Sequence, residues 1–172
     1  MGSADVIDLY AKLESLGIKI WIDGGWAVDA LLGEQTRPHK DLDIAVERKN
    51  LSRFREYLEL QGYKEIERDE DKKWDLVMGD DKGHEIEAHA FIFNNDGRVV
   101  EEECWDGYSA DSLTGKGIID GVAVRCVSLD QLFKTKRNFK KSDEKDIEAL
   151  CEKFGIEYPE KYKQKPGIKG SN

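Results

Sequence analysis

The sequence predicts an α+β fold in which a mixed sheet with helices on one side precedes a small helical C-terminal part. Strand-like segments concentrate before Val127, and the patterns after this residue are helical. Apolar and polar residues alternate along 41–46 and 85–93, which is typical of strands that bury one face. The Asp-Gly dipeptide at 120–121 separates two apolar segments, which indicates a β-hairpin.

The N-terminal elements follow from apolar spacing and from residues that start or stop helices. Residues 3–16 carry an apolar stripe at helical spacing, with Ser3 as the expected N-cap and Gly17 as the expected end. Asn50 is expected to cap a further helix, which Gly62 ends. The other predicted elements are a strand at 18–22, a short helix at 25–32 and strands at 41–46, 63–67, 74–78 and 85–93, while 98–116 shows no clear pattern.

The C-terminal part is predicted from one hairpin and two capped helices. The hairpin covers 117–127, and Ser128 is expected to cap a helix that runs through Phe139. Ser142 is expected to cap a second helix, which Gly155 ends. The domain division that follows is a core at 1–127, C-terminal helices packed on the core at 128–158 and a polar tail at 159–172.

Composition limits the classes of function. The chain has 172 residues, of which 39% are hydrophobic and 37% charged, and its formal net charge is −9. No segment approaches the ~20 apolar residues of a membrane span, and the N-terminus lacks the layout of a secretion signal. Its three widely spaced cysteines fit neither a disulfide scaffold nor a zinc site. We therefore expect a cytoplasmic protein that does not bind long nucleic acid, because phosphate neutralisation requires basic patches.

A pair of glycines and a pair of aspartates carry the chemistry. Gly24 and Gly25 lie between the first predicted strand and the short helix, where backbone N–H groups at the helix N-terminus can bind phosphate. Asp41 and Asp43 share one face of the strand at 41–46, because side chains alternate along a strand. Paired carboxylates suit a divalent cation, so the two motifs together indicate phosphoryl or nucleotidyl transfer.

These motifs resemble those of a known superfamily. The segments 21–29 (WIDGGWAVD) and 36–44 (TRPHKDLDI) resemble the signature of the polymerase-beta-like nucleotidyltransferases. The similarity is greatest to one branch, the lincosamide nucleotidyltransferases and aminoglycoside 2''-adenylyltransferases, over roughly positions 18–46. The resemblance implies a polymerase-beta-like core, ATP as co-substrate, Mg²⁺ as cofactor and an antibiotic as the acceptor of AMP.

The resemblance also implies a third acidic residue, on a strand beside the aspartates, that acts as catalytic base in the aminoglycoside branch. By position it is Glu87, where the family usually has Asp, so Glu87 is expected to join Asp41 and Asp43 as a metal ligand or as the base. Glu85 lies on the same predicted face and is the alternative. His89 is expected to contact the acceptor or to support the metal ligands, with a buried histidine of no catalytic role as the alternative.

Basic residues are candidates for binding the nucleotide phosphates. Arg37 matches the family motif and is expected either to contact phosphate or to hold Asp29 or Asp41 in place. Lys134 and Arg137 recur at helical spacing and could neutralise the β- and γ-phosphates. The alternative for these two residues is a solvent-exposed helix face.

The expected function is Mg²⁺-dependent transfer of AMP from ATP to a hydroxyl of a lincosamide or an aminoglycoside. The expected partners are ATP and a small, cationic acceptor. The sequence neither predicts nor excludes a homodimer. One alternative is a nucleotidyltransferase that modifies a protein or an RNA, as in toxin–antitoxin systems, although the net charge disfavours RNA. A non-catalytic nucleotide-binding module is less consistent with the intact aspartate pair, and a nuclease would leave the Gly-Gly turn without a role.

Overall fold

The structure, a computed structural model, describes residues 1–67, 75–100, 108–136 and 141–158. Within these ranges the chain forms one mixed sheet of seven strands, together with five α-helices and a short 3-10 helix. This arrangement confirms the predicted α+β class. The predicted tail at 159–172 and the predicted helix end at Phe139 lie outside the described residues.

The elements follow the predicted order with small shifts in their bounds. The strands are β1 (Ile20–Ile22), β2 (Asp41–Glu47), β3 (Lys64–Glu65), β4 (Asp75–Gly79), β5 (Glu85–Phe91), β6 (Gly115–Ile119) and β7 (Val122–Cys126). The helices are α1 (Ser3–Ser15), α2 (Gly24–Leu32), α3 (Leu51–Leu60), α4 (Leu129–Thr135) and α5 (Lys141–Phe154), and the 3-10 helix is Arg48–Asn50. The strand order in the sheet is β3-β4-β5-β2-β1-β7-β6.

The centre of the sheet joins distant parts of the chain. β2 pairs in parallel with β5, so that Asp43 lies beside Glu87, and it pairs antiparallel with β1 on its other side. β4 and β5 form an antiparallel pair in which Asp75 lies opposite His89. Residues from three strands therefore share one region of a single sheet face.

The opposite face of these central strands is apolar and fully buried. Leu42, Ile44, Ile86 and Ala88 have no exposed surface, and they belong to one hydrophobic cluster. The same cluster includes apolar residues of α4 and α5, so the C-terminal helices share the core of the sheet. Burial of a leucine or isoleucine side chain stabilises a fold by roughly 1.5–3 kcal/mol, so this cluster strongly favours the observed register.

Two predicted helix caps are wrong, and two are confirmed in position. α1 is capped at Gly2, whose backbone N–H donates to Asp5 at 2.8 Å, because Ser3 is already in the helix. Asn50 is the N-cap residue of α3, as predicted, although its side chain makes no cap hydrogen bond. α5 begins at Lys141, which places Ser142 inside the helix. Ser128 does cap α4, accepting from the Gln131 backbone N–H.

The C-terminal hairpin is formed as predicted. β6 and β7 are antiparallel and pair Ile119 with Val122 across a two-residue turn. Both turn residues have positive φ, 48° at Asp120 and 77° at Gly121. This is the backbone of a type I′ turn, which the Asp-Gly dipeptide favours.

The sequence predicts that the cysteines form no disulfide scaffold and that no segment spans a membrane. Cys126 and Cys151 are buried free thiols, and Cys104 lies outside the described residues. In the described ranges, no helix combines the length and the apolar character that crossing a bilayer requires.

Candidate active site

The glycine turn, residues 23–25, leads from β1 into the first residues of α2 and is tied directly to β2. The backbone N–H of Asp23 donates to the carbonyl of Asp43 at 2.8 Å, and Asp23 Oδ1 caps α2 by accepting from the Gly24 N–H at 2.7 Å. Gly24 has a φ of +59°, and a Cβ at this position would lie 1.9 Å from Asp43 Oδ2. Glycine is required here both by the backbone conformation and because the Asp43 carboxylate occupies the space of a side chain.

Gly25 is required because other motif residues pack against it. A Cβ at Gly25 would lie 2.5 Å from His39 Nδ1 and 2.8 Å from Arg37 Nη2. Side chains of the 36–39 segment therefore occupy the space beside Gly25.

The predicted acidic residues converge on one face of the sheet. In the β2–β5 register Asp41 pairs with Glu85 and Asp43 pairs with Glu87. Residues paired in adjacent strands project to the same side, so the four carboxylates line one surface next to the glycine turn. Asp41 is exposed, whereas Asp43 and Glu87 are partly buried. The structure thus brings together the acidic residues singled out from the sequence.

Burial and the neighbouring carboxylates together shift the pKa of Asp43. Burial raises the pKa of Asp43, and the charges of Asp23, Asp41 and Glu87 raise it further against the opposing effect of His89, to about 7. A carboxyl group with this pKa is half-protonated near neutral pH in the metal-free protein. A divalent cation at this face would favour the ionised form.

Asp75 is a site residue that the sequence reasoning missed. It lies at the start of β4, and His89 Nδ1 donates to its Oδ1 at 3.0 Å. Donor atoms of Asp75, Glu87 and His89 all lie within 4.8 Å of one another. The predicted strands at 74–78 and 85–93 contained the necessary signal, because the observed hairpin between them places residue 75 opposite residue 89.

His89 is buried within this acidic surface. Burial alone would lower the pKa of His89, but the hydrogen bond to Asp75 and the charges of Asp23 and Asp43 raise it overall. The acidic neighbours of His89 therefore favour the protonated form of its imidazole relative to a histidine in water.

Tyr108 is a second residue that the sequence reasoning missed. Its hydroxyl donates to Asp23 Oδ2 at 2.7 Å, and its ring meets that of His89 edge-on at 6.5 Å between centroids. Tyr108 lies within the segment 98–116, which has no clear sequence pattern, and this explains why it was not predicted. Its contact fixes the carboxylate that caps α2.

Arg37 is held by a residue that neither sequence alternative named. Its Nε and Nη2 donate to the two carboxylate oxygens of Asp146 on α5, at 3.2 and 3.0 Å. Its Nη1 donates to His39, whose Nε2 lies 2.5 Å from Asp29 Oδ2 on α2. The buried Lys136 also donates to Asp146, at 2.8 Å. This charged network joins the C-terminal helices to the helix that the glycines start.

The other basic candidates are placed less centrally. Lys134 is exposed on α4, and its Nζ donates to Ser109 Oγ at 3.3 Å. Arg137 lies outside the described residues. A cavity of about 590 Å³ opens beside Arg37 and is also lined by Lys145 and Ser142.

The donor set of the acidic face fits a divalent metal ion. Carboxylate oxygens are the ligands that hard divalent cations prefer, and an imidazole adds a nitrogen donor. Burial and, to a smaller extent, the neighbouring carboxylates disfavour the ionised form of Asp43. A metal ion would supply the missing positive charge.

Comparison with known proteins assigns the chain to a family. The family described as aminoglycoside-2''-adenylyltransferase matches residues 5–163. The chain belongs to the aminoglycoside-2''-adenylyltransferase family. The resemblance drawn from the motifs at 21–29 and 36–44 is thereby confirmed.

Two curated members of this group show the extent of the sequence similarity. The chain is 30% identical over 96 residues to a lincosamide resistance protein of Staphylococcus haemolyticus, covering 56% of each protein. It is 44% identical over 36 residues to a 2''-aminoglycoside nucleotidyltransferase of Escherichia coli, covering 21% of this chain and 20% of that protein. The matched segments thus span about half or less of the curated relatives.

Solved structures share the fold. The lincosamide antibiotic adenylyltransferase LnuA, bound to lincomycin, superposes with a TM-score of 0.75 at 22% identity, over 87% of this chain and 96% of that chain. ANT(2'')-Ia, in complex with adenylyl-2''-tobramycin, superposes with a TM-score of 0.71 at 19% identity, over 89% of each chain. The fold of this chain is therefore that of nucleotidyltransferases.

The protonation of Asp43 predicts a pH-dependent gain in stability for Asp43→Asn. The folded protein keeps the Asp43 proton up to about pH 7, whereas the unfolded chain loses it near pH 4. Wild-type stability should therefore fall as the pH rises through this interval, because the folded state binds more protons than the unfolded state. Asparagine does not ionise, so the metal-free variant should be more stable than wild type by roughly 1–4 kcal/mol at about pH 8 and equal to it near pH 4.

Urea denaturation in the presence of a chelator measures this difference. Asp81→Asn, in the exposed turn after β4, is the control and should leave stability unchanged at both pH values. An Asp43→Asn variant that is less stable than wild type at about pH 8 would contradict the assigned protonation.

Proposed function

We propose that this chain is a metal-dependent nucleotidyltransferase that transfers AMP from ATP to a hydroxyl of a small antibiotic, a lincosamide or an aminoglycoside. The observation that carries the proposal is the β2–β5 register, which aligns Asp41, Asp43 and Glu87 beside the glycine turn. The named activities of the family and of its solved relatives support the same class of reaction.

The nucleotide would bind with its phosphates at the acidic face and the N-terminus of α2. Asp41, Asp43 and Glu87 would hold Mg²⁺, which when bound would polarise the phosphate oxygens and offset the charge that develops during transfer. The glycine turn would bring backbone N–H groups near the phosphates. Arg37 and Lys134 are proposed as further phosphate contacts, and so is Arg137, which lies outside the described residues.

The chemical step exchanges a phosphoanhydride bond of ATP for a phosphoester bond to the acceptor. The acceptor hydroxyl oxygen forms a bond to the α-phosphorus of ATP, and the bond from that phosphorus to the bridging oxygen of pyrophosphate breaks. Glu87 is proposed to accept the hydroxyl proton, since it lies next to Asp43 on the same face. The products are the adenylylated antibiotic and pyrophosphate.

The charge of the site favours a cationic acceptor. Four carboxylates line the face, and the whole chain has a net charge of −9. Both antibiotic classes carry amines, so charge supports either class over an anionic or polyanionic acceptor. His89 and Glu85 are proposed to contact the acceptor, because they lie on the same strand and face as Glu87.

Incubation with a panel of antibiotics tests the proposed activity. The full chain, ATP and Mg²⁺ should add one adenylyl group to a lincosamide or an aminoglycoside, detected by mass spectrometry. Asp41→Asn and Asp43→Asn should each lower turnover by about a thousandfold, because loss of a metal-ligand charge removes several kcal/mol of transition-state stabilisation. Asp81→Asn is the control with the same chemical change in an exposed turn, and it should keep wild-type turnover. The absence of product with every member of both classes would contradict the proposal.

The two glutamates of β5 can be distinguished by matched variants. Glu87→Gln should retain nucleotide binding and lose transfer, because the amide cannot accept the hydroxyl proton. Glu85 lies two residues before Glu87 on the same face, and Glu85→Gln should retain most transfer. Single-turnover transfer and nucleotide binding are measured in parallel. Full activity of Glu87→Gln together with an inactive Glu85→Gln would show that the base is Glu85.

A further inference from the structure

A group of three side chains lies to one side of the Asp41–Asp43 pair. Asp75 comes from β4, and Glu87 and His89 come from β5. One donor atom from each lies within 4.8 Å of the other two. We propose that Asp75, Glu87 and His89 form a distinct cation position that prefers a transition metal, such as Co²⁺, Mn²⁺ or Zn²⁺, over Mg²⁺. The proposal refines the metal site of the proposed function, but its test does not require nucleotidyl transfer.

The observed spacing of the donors suits direct ligation. His89 Nδ1 and Asp75 Oδ1 are 3.0 Å apart. Two ligands of one metal ion with bonds of about 2.1 Å are roughly 3 Å apart when they occupy adjacent coordination positions. A metal ion can therefore replace the proton between these two atoms with little movement of either side chain.

The chemistry of the donors sets the preference among metals. Mg²⁺ selects oxygen ligands, whereas imidazole nitrogen suits first-row transition metals. Two carboxylates balance the charge of a divalent ion, and His89 is 7% exposed, which limits competition from water. The Asp41–Asp43 pair offers only carboxylates and is the more suitable position for Mg²⁺.

The sheet register separates the two positions. His89 pairs with Ala45 of β2, and Asp75 lies on the other side of β5 from β2. Glu87 stands between them, because it pairs with Asp43 on β2 and neighbours the Asp75–His89 pair. A carboxylate in this location can contribute one oxygen to each position.

The other two histidines provide internal comparisons. Each histidine of the chain contacts an aspartate: His39 contacts Asp29, His84 contacts Asp80 and His89 contacts Asp75. In the part of the chain that the structure describes, only His89 among the histidines belongs to a compact group of three side chains that could together bind a metal ion. His84 Nδ1 lies 2.9 Å from Asp80 Oδ2, so it matches the His89–Asp75 contact in geometry without belonging to such a group.

Metal titration of the nucleotide-free full chain tests the proposal. Co²⁺ binding is followed by its visible absorption, and Mg²⁺ binding by calorimetry, in wild type, His89→Gln and His84→Gln. His89→Gln should lower Co²⁺ affinity by at least about tenfold, because one ligand is lost, and should change Mg²⁺ affinity by less than about threefold. His84→Gln should change neither affinity. Equal Co²⁺ affinity in His89→Gln and wild type would overturn the proposal, as would equal losses for both metals.

A measurement on the wild-type chain avoids dependence on the folding of a variant. In protein labelled with ¹⁵N at histidine, one equivalent of Zn²⁺ should shift the ring nitrogens of His89 and leave those of His39 and His84 in place. An unshifted His89 ring would overturn the proposal. A chain that binds Co²⁺ and Zn²⁺ through His89 but modifies no antibiotic would retain this site and refute only the proposed function.

Discussion

The parallel pairing of β2 with β5 is the constraint on which the site depends. It places Asp43 beside Glu87, and burial together with the charges of Asp23, Asp41 and Glu87 raises the pKa of Asp43 from 3.8 to about 7, equivalent to about 4 kcal/mol. The opposite face of the same strands holds Leu42, Ile44 and Ile86, which are fully buried and each contribute roughly 1.5–3 kcal/mol. A slip of one residue would expose them, so the hydrophobic core holds the carboxylates together against their repulsion.

The segment at 36–39 has a structural role that the sequence predicts only in part, because the partner on α5 was not expected. Arg37 donates to Asp146 of α5 and to His39, and His39 in turn contacts Asp29 of α2. The same two side chains fill the space beside Gly25. The C-terminal helices are thus coupled to the glycine turn through a mostly buried charge network. A phosphate bound at this turn would contact Arg37 in the orientation that its hydrogen bonds to α5 give it. A buried charge that loses its ion-pair partner lowers the stability of a fold. This network therefore makes α5 important for the stability of the turn.

Sequence patterns predicted the local features well and the long-range partners poorly. The alternation along 41–46 and 85–93 gave both strands and the shared face of their acidic residues, because side-chain direction in a strand is a local property. Asp146 lies 109 positions from Arg37, and Tyr108 lies 85 positions from Asp23, and no local periodicity reports contacts at such separations. The cap of α1 at Gly2 instead of Ser3 is an error of one residue, the usual scale for helix ends.

The central claim is that the carboxylates of this face form an arrangement that a divalent cation completes. The most direct test is the titration of the Asp43 carboxyl carbon by ¹³C NMR in the full chain, first without metal and then with saturating Mg²⁺. The account predicts a midpoint of about 7 without metal and a midpoint near or below about 4 when Mg²⁺ is bound, because the cation stabilises the ionised form. A midpoint that is already near 4 without metal, or one that Mg²⁺ leaves unchanged, would contradict the account.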